Sequence, residues 1–373
     1  MKISRFRAEA ITVALALTLS ACGQSNADAG DSASGTGSDT DWSTVTSVEE
    51  GGGMDALVAA AEAEGSLNVI ALPHSWANYG EVIQGFKDKY PEITVNEINP
   101  NASSKEEIDA AKTNEGTDKA PDVFDLGLGV ATTNTDKFAA YKVQNWDQIP
   151  DGAKESTGLF YGDYTGIMTI GWNKTKYGDI DVDDLKDTLS DSKFKGTVAL
   201  NGKPYEAGAA QNGFLAVNLN QGGSITDFQP GLDFFEALKE AGTLTQIDVT
   251  DATIDSGQTG VVFDWNYNQA STASRLKEQQ GVDWEVKTLP NGEVAQYYNQ
   301  AINKDAPHPA AARLWEECLY TAEAQNLWLK GGAFHGSGPC HPGSLEHRRC
   351  ASILCLCWRV SCPSNTACDC WSI

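Results

Sequence analysis

The stretch SLNVIALPHSWANYGEVIQGFKDKYPEITVNEI, residues 66–98, contains two different apolar patterns in succession. The runs LNVIAL (67–72) and ITVNEI (93–98) are short and largely apolar, which predicts two strands. Between them, apolar side chains at positions 82, 83, 86 and 90 recur at the spacing of one helix face. Pro91 ends that helix because its ring cannot continue the hydrogen-bond pattern. A strand, a helix and a strand with short connections indicate an α/β fold with parallel strands.

The same alternation of apolar patterns continues downstream. It predicts strands at 121–129, 166–174, 194–200, 260–265, 284–290 and 293–304. It predicts helices at 54–65, 103–112, 209–220, 229–242, 308–320 and 321–332. One of these helices opens with a capping box formed by Ser103 and Glu106. Another is expected to bury Leu232, Phe235 and Leu238 on one face.

Composition limits the functional classes. The chain has 373 residues, a net charge of −24 and a hydrophobic content of 41%, which is enough to build a sizeable core. Nucleic-acid binding is not expected, because phosphates require basic patches. The sequence contains no G-x-S-x-G, P-loop or H-E-x-x-H motif, so no enzyme, cofactor or metal centre is predicted. The abundant carboxylates leave a lipid-anchored hydrolase as a catalytic alternative.

The N-terminus has the pattern of an export signal. Basic residues precede the apolar run at 10–21, which is too short to span a bilayer, so residues 1–21 are predicted to be a signal peptide. The sequence LSAC ends at Cys22 and is similar to a bacterial lipobox, in which that cysteine is lipidated and becomes the mature N-terminus. Residues 22–53 are rich in Gly, Ser, Thr and Asp and are predicted to be a flexible tether.

Several stretches together resemble the substrate-binding receptors of bacterial ABC importers. They include APDVFDLG, FYGDYTGIMTIGWNK, VVFDWNYN and HPAAARLWEECLYTAEAQNLW. More narrowly, the chain is similar to the two-lobed receptors of the ferric-iron, polyamine and phosphonate groups, and the resemblance covers about residues 54–332. It implies a type II periplasmic-binding-protein-like fold of two α/β lobes joined by two crossing strands. Lobe one would comprise residues 54–166 and 300–332, and lobe two residues 167–299, with crossings near 167–172 and 297–302.

The resemblance also implies how such a protein works. A small solute binds between the lobes, and the closed receptor docks on a membrane permease that is driven by an ATPase. The protein is expected to be a monomer held by its N-terminal lipid on the outer face of the cytoplasmic membrane. A tethered sensory protein of the same fold, without a transport partner, is the alternative, and the lobes alone do not separate the two.

The position of the solute site follows from the predicted strands. In open α/β sheets, ligands bind beyond the carboxyl ends of strands, where loops lead into helices. Four such loops are PHSWANYG, GLGV, NGKPYEAG and NYNQ. The predicted solute-binding residues are Ser75, Trp76, Tyr79, Asp125, Tyr164, Lys203, Glu206, Asp264, Trp265 and Tyr267. Asp163 is a further candidate partner for a cation.

These candidates point to two kinds of solute. The spacing of Trp76 and Tyr79 is similar to that in polyamine receptors, where aromatic side chains hold the alkyl stem and face the cation. Lys203 and Tyr267, however, stand where the polyamine group has acids, although Glu206 matches a second acid. A lysine beside a helix N-terminus favours an anionic group such as a carboxylate or phosphonate.

Ferric iron is a third possibility for the solute. Iron receptors use paired tyrosines as hard oxygen ligands, and Tyr297 and Tyr298 are adjacent in this chain. On a strand, adjacent side chains face opposite sides, which weakens this interpretation.

The last forty residues differ sharply from the rest of the chain. Residues 334–373 contain seven of the nine cysteines and no lysine. A zinc site or a disulfide cluster would explain the cysteines, but their number is odd and their spacing irregular. The sequence therefore predicts a tail outside the family pattern, the product of a frameshift after about residue 333.

Overall fold

The computed structural model describes residues 40–335 of the chain. The predicted signal peptide, Cys22 and almost all of the predicted tail lie outside these residues. Within them the strands are β1 Ser66–Ile70, β2 Thr94–Ile98, β3 Val123–Gly127, β4 Phe138–Ala139, β5 Tyr161–Asn173, β6 Val198–Leu200, β7 Val261–Trp265, β8 Trp284–Thr288, β9 Ala295–Asn303 and β10 Phe334–His335. No helix in this range has the length and apolar character needed to cross a bilayer.

The helices cover the sheets, and seven of the twelve in the described residues match predicted ones. The five that were not predicted lie at 128–133, 174–177, 185–189, 251–255 and 266–280, and the first and last of these begin in the GLGV and NYNQ segments that the sequence predicts as loops. The helices are α1 Met54–Glu64, α2 Tyr79–Lys89, α3 Ser104–Thr113, α4 Leu128–Thr133, α5 Lys174–Tyr177, α6 Leu185–Leu189, α7 Gly208–Asn220, α8 Gln229–Glu240, α9 Asp251–Asp255, α10 Asn266–Gln280, α11 Pro309–Leu319 and α12 Ala322–Lys330. The predicted capping box of α3 is present: Ser103 and Glu106 each accept a hydrogen bond from the other's backbone N–H.

The sheets are mixed rather than parallel. β1 and β2 pair in parallel, as do β6 and β7. The large sheet has the order β3-β9-β5-β7-β6, and its other pairs are antiparallel. The prediction of a parallel sheet is therefore wrong for β3, whose partner is the returning strand β9. The local apolar pattern identifies β3 as a strand. Its pairing partner is determined by β9, a strand far along the chain, which local patterns do not reveal.

Two long strands connect the two groups of strands. Residues 161–167 of β5 pair with β9, whereas residues 168–173 pair with β7 and β8. β9 in turn pairs with β3. The structure thus has two α/β lobes joined through β5 and β9, close to the predicted crossings. The residue boundaries of lobe one and lobe two stay a prediction.

The segment just before α1 is packed onto the domain. Trp42, Val45 and Val48 are buried, although the sequence predicts a flexible tether up to Gly53. The buried Arg313 guanidinium holds this segment by donating hydrogen bonds to the carbonyl oxygens of Val45 (2.8 Å) and Ser43 (3.1 Å). The prediction of a flexible tether is therefore wrong for residues 42–53. It relied on the polar composition of the whole segment and gave no weight to its three apolar side chains.

One predicted helix face is also corrected. α8 buries Gly231, Phe234 and Leu238, while Leu232 is 52% exposed. The buried face of α8 therefore includes Gly231 and Phe234 in place of Leu232 and Phe235. Gly231 packs directly against Asn218 of α7, where a Cβ atom would be too close.

Candidate functional site

A cleft of about 1150 Å³ lies between the lobes. Lobe one lines it with residues from the loop after β1, the end of β2, the start of α3 and β3. Lobe two lines it with the loop after β6, the start of α7, the region around α9 and the end of β7. This is the edge where the sequence predicts the site, although the GLGV segment after β3 does not line the cleft.

Six predicted residues line this cleft. They are Ser75, Trp76, Asp125, Lys203, Glu206 and Asp264. Both lobes contribute, so a solute held by them would contact both sides at once. Their role in binding stays a prediction.

The other four predicted residues lie behind the cleft wall. Tyr79, Tyr164, Trp265 and Tyr267 are fully buried and do not line the cleft. Neighbouring rings and carboxylates cover them, and their role as solute contacts stays a prediction. Asp163 is likewise fully buried, and its carboxylate accepts hydrogen bonds from Tyr79 Oη and Gln300 Nε2, each 3.0 Å long.

Trp76 is held in place by this buried layer. Its indole N–H donates a 2.8 Å hydrogen bond to the Tyr164 hydroxyl, which donates a 2.9 Å bond to Asp125 Oδ2. The ring also makes an edge contact with Tyr298, with 5.5 Å between centroids. A half-buried indole fixed in this way presents an apolar, electron-rich wall to a solute.

Asp125 is a nearly buried carboxylate at the base of the cleft. Besides the Tyr164 hydroxyl, the amide of Gln300 donates to its Oδ1 over 3.3 Å. Burial raises the pKa of Asp125 to about 7, although these hydrogen bonds favour the ionised form. The pKa of the neighbouring Asp163 is also raised well above its usual value, by burial and by the negative charge of Asp125.

Asp264 provides a second carboxylate from lobe two. Its side chain accepts hydrogen bonds from the backbone N–H of Trp265 (2.7 Å) and from the amides of Asn201 (2.9 Å) and Asn268 (3.2 Å). Burial raises its pKa to about 7, against these hydrogen bonds. The two carboxylates therefore face one cleft from opposite lobes.

A third buried carboxylate, Glu107, was missed by the sequence analysis. It lines the cleft, is 1% exposed and accepts a 2.9 Å hydrogen bond from the backbone N–H of Asp125. Burial and the charge of Asp125 raise its pKa well above the usual value. Its spacing from Ser104 and Ala111, both on the inner face of α3, is the signal that would have identified it.

The rim of the cleft is acidic, but its charges are mostly compensated. Lys203 lies 3.1 Å from Glu206, and Glu97 pairs with both Lys87 and His74. Among the other lining carboxylates, Asp251 pairs with Arg275, whereas Glu106 and Asp248 make no ion pair with a described basic residue. By contrast, no ion pair with a lysine, arginine or histidine of residues 40–335 involves Glu107, Asp125 or Asp264.

Features that suit other solutes are also present. The N-terminal residues of α7, Gly208 and Ala209, line the cleft, and a helix N-terminus favours anions. Tyr298 lines the cleft as well, whereas Tyr297 does not. Among residues 40–335, no cluster of three or more His, Cys, Asp or Glu side chains has the arrangement of a metal site.

Comparison with known proteins agrees with this architecture. The family of bacterial extracellular solute-binding proteins matches residues 120–344, a range that ends beyond the predicted start of the tail. No curated protein is significantly similar in sequence.

Solved structures share the fold at low sequence identity. The periplasmic binding protein AfuA from Actinobacillus pleuropneumoniae, with fructose-6-phosphate bound, is 20% identical, with a TM-score of 0.57 over 74% of this chain and 88% of that one. Iron-bound HitA from Pseudomonas aeruginosa is 17% identical, with a TM-score of 0.53 over 75% and 89%. A putative spermidine/putrescine ABC transporter protein from Listeria monocytogenes is 15% identical, with a TM-score of 0.51 over 70% and 79%.

Proposed function

Because the chain belongs to the bacterial extracellular solute-binding proteins, the receptors of ABC importers, we propose that its solute carries at least one ammonium group. The solute class is a polyamine or a related amine, such as an amino-phosphonate. The observation that carries this proposal is the set of three buried carboxylates, Glu107, Asp125 and Asp264, that line the cleft without a basic partner among residues 40–335.

The energetics of burial connect these carboxylates to a cation. A carboxylate removed from water is costly unless an opposite charge or several hydrogen bonds compensate it. Burial raises the pKa of Asp125 and of Asp264 to about 7 despite their hydrogen bonds, which is the behaviour of an incompletely compensated carboxylate. An ammonium group entering the cleft would supply the missing charge and favour the ionised forms.

The aromatic wall supports the same class of solute. Trp76 and Tyr298 line the cleft beside Asp125, so a cation paired with that carboxylate would also lie near aromatic rings. A desolvated cation facing an aromatic ring gains about 2 kcal/mol. The alkyl part of an amine would pack against the indole, as it does in polyamine receptors.

Two other kinds of solute, an anion and ferric iron, are each supported by one observation. The start of α7 would bind an anionic group, but Lys203 is already paired with Glu206, so an amine with a phosphonate or carboxylate fits better than a simple anion. Ferric iron has Tyr298 in the cleft as a hard ligand, and HitA shares the fold. Neither alternative uses all three buried carboxylates.

The setting of the receptor is part of the proposal. Lipidation of Cys22 would hold the protein on the outer face of the cytoplasmic membrane, where the closed monomer delivers its solute to the permease and ATPase. Genes for both beside this one would separate transport from a sensory role. We propose no catalytic activity, and turnover of glycoside or ester substrates would contradict this.

A thermal-shift panel tests the solute class. Putrescine, spermidine, 2-aminoethylphosphonate, fructose 6-phosphate and Fe(III) citrate are added separately to the purified protein. We expect at least one amine to raise the melting temperature, because a ligand bound only by the folded state stabilises it. A panel in which no amine raises the melting temperature overturns the proposal, whether or not Fe(III) or fructose 6-phosphate does so.

A further inference from the structure

Glu107 is oriented by the backbone of the strand that ends at the cleft. Its Oε2 accepts a 2.9 Å hydrogen bond from the N–H of Asp125, and one turn earlier Ser104 Oγ accepts a 3.0 Å bond from the N–H of Gly127. Two residues on one face of α3 therefore bind alternate N–H groups along the same edge of β3. The position of the Glu107 carboxylate is set by the protein and requires no ligand.

The second oxygen of this carboxylate has no partner. Glu107 Oε1 is buried, accepts no hydrogen bond from residues 40–335, and belongs to a side chain that lines the cleft. Buried polar atoms in folded proteins are almost always hydrogen-bonded, so an unpartnered one beside a binding cleft points to a missing donor. The negative charge of Asp125 also acts on this carboxylate and raises its pKa, which makes a cationic donor the most favourable kind.

We infer that Glu107 Oε1 accepts a hydrogen bond from an ammonium group of the solute, in a subsite that Asp125 completes. This inference rests on the proposed function and names the residue that selects for the ammonium group. Asp264 lies on the opposite lobe and is not part of this subsite. A neutral solute of equal shape would leave two adjacent buried carboxylates uncompensated and would bind more weakly.

The proposed arrangement is supported by the charges around it. The Glu107 pKa is raised by burial and then by the negative charge of Asp125, so Glu107 holds its proton in the absence of a cation. A single ammonium group has three N–H donors, which is enough for two carboxylate acceptors. Binding would therefore also release protons held by this pair.

The substitution E107Q separates this role from a purely structural one. Glutamine keeps a carbonyl oxygen for the Asp125 N–H but replaces the free acceptor by an NH₂ group. Hydrogen bonds to charged groups contribute about 1.5–3 kcal/mol, so we expect calorimetric affinity for the best amine of the panel to fall about 10- to 100-fold. D109N is the matched control: it removes one charge from the exposed face of α3 and should change affinity less than about twofold.

Three outcomes decide between the possibilities. If the unmodified protein binds no amine, both the solute class and this subsite are overturned. If it binds an amine and E107Q binds it equally well, only the subsite is overturned. If E107Q does not fold, as judged by its melting curve, E107D replaces it: its shorter carboxylate should also weaken binding, and unchanged affinity in E107D overturns the inference.

Discussion

Gly127 of β3 and Gly208 of α7 touch backbone to backbone across the two lobes. A Cβ placed on Gly208 would lie 3.0 Å from the Gly127 Cα, which is too close for an ordinary contact. Gly127 has a φ of −60°, which any residue can adopt. Glycine is required there because Gly208 leaves no room for a Cβ atom, and not because of the backbone angle. A second contact lies beside it, where the Lys105 N–H donates a 3.2 Å hydrogen bond to the Glu206 carbonyl oxygen.

The first prediction concerns this approach of the lobes. G208A adds one methyl group at the start of a helix, where alanine alone would favour the helix by up to about 1 kcal/mol. We expect solute affinity nevertheless to fall about tenfold, because the methyl group holds the lobes apart and weakens contacts that span the cleft. Calorimetry with the best ligand of the panel measures it.

A second alanine variant serves as the control for G208A. A Cβ added at Gly152 would have no described neighbour within 4 Å, and this residue lies outside the cleft, so G152A should bind as the unmodified protein does. Equal affinities of G208A and G152A would contradict the role given to the Gly127 contact.

The second prediction contrasts two tryptophans. Trp265 is fully buried, so W265A should lower the free energy of unfolding by about 3–5 kcal/mol. Trp76 is half-buried and lines the cleft, so W76A should cost less stability but weaken amine binding about 10- to 30-fold. Chemical denaturation and calorimetry on both variants measure the two effects. A larger stability loss in W76A than in W265A would refute this division of roles.

The fold was largely predictable because its signals are local. Apolar runs and helical periodicity identify most of the strands and seven of the twelve described helices, and the capping box of α3 is present as expected. The 15-residue helix α10 was not predicted, because its sequence is mostly polar and shows no apolar stripe. The partner of β3 was not predictable, because it is set by β9, which lies more than 160 residues further along the chain.

Side-chain direction limited the prediction of the site. Asp264 and Trp265 end the same strand, and successive side chains on a strand face opposite sides. Asp264 lines the cleft while Trp265 packs behind it, and sequence alone does not tell which of the two faces outward. Glu107 was missed for a related reason: a charged residue in an amphipathic helix is normally assigned to solvent.

The third prediction concerns the effect of pH on the ligand-free protein. Burial raises the pKa of several carboxyl groups, namely Glu107, Asp125, Asp163, Asp264, Glu316 and Glu317. Each of these pKa values is higher in the folded protein than in the unfolded chain. At a pH between the two values, the folded protein therefore binds more protons than the unfolded chain does. The free energy of unfolding should therefore fall as pH rises from about 4 to about 7.

The variant D264N isolates one of these groups. Burial raises the pKa of Asp264 from its usual value of 3.8 to about 7 in the folded protein. Removing this carboxyl group should therefore flatten the pH dependence of stability between about pH 4 and pH 7. Melting temperatures at pH 5, 6, 7 and 8 provide the comparison. An identical slope in D264N and the unmodified protein would show that Asp264 does not hold its proton.

The fourth prediction concerns the segment before α1. The buried Arg313 side chain donates to the carbonyl oxygens of Ser43, Val45 and Pro309. R313M fills a similar volume without donors, so it leaves these acceptors unpaired and should lower the free energy of unfolding by about 2–4 kcal/mol. Hydrogen exchange should increase most at the amides of residues 42–53.

That local increase distinguishes Arg313 from an ordinary basic residue. The backbone N–H of Gly53 bonds to the Val48 carbonyl oxygen, so its protection depends on the segment staying docked. K119M, at an exposed position remote in sequence from this segment, should leave exchange in residues 42–53 unchanged. Faster exchange in R313M that is uniform over the whole domain would mean that Arg313 stabilises the fold generally and does not anchor this segment in particular.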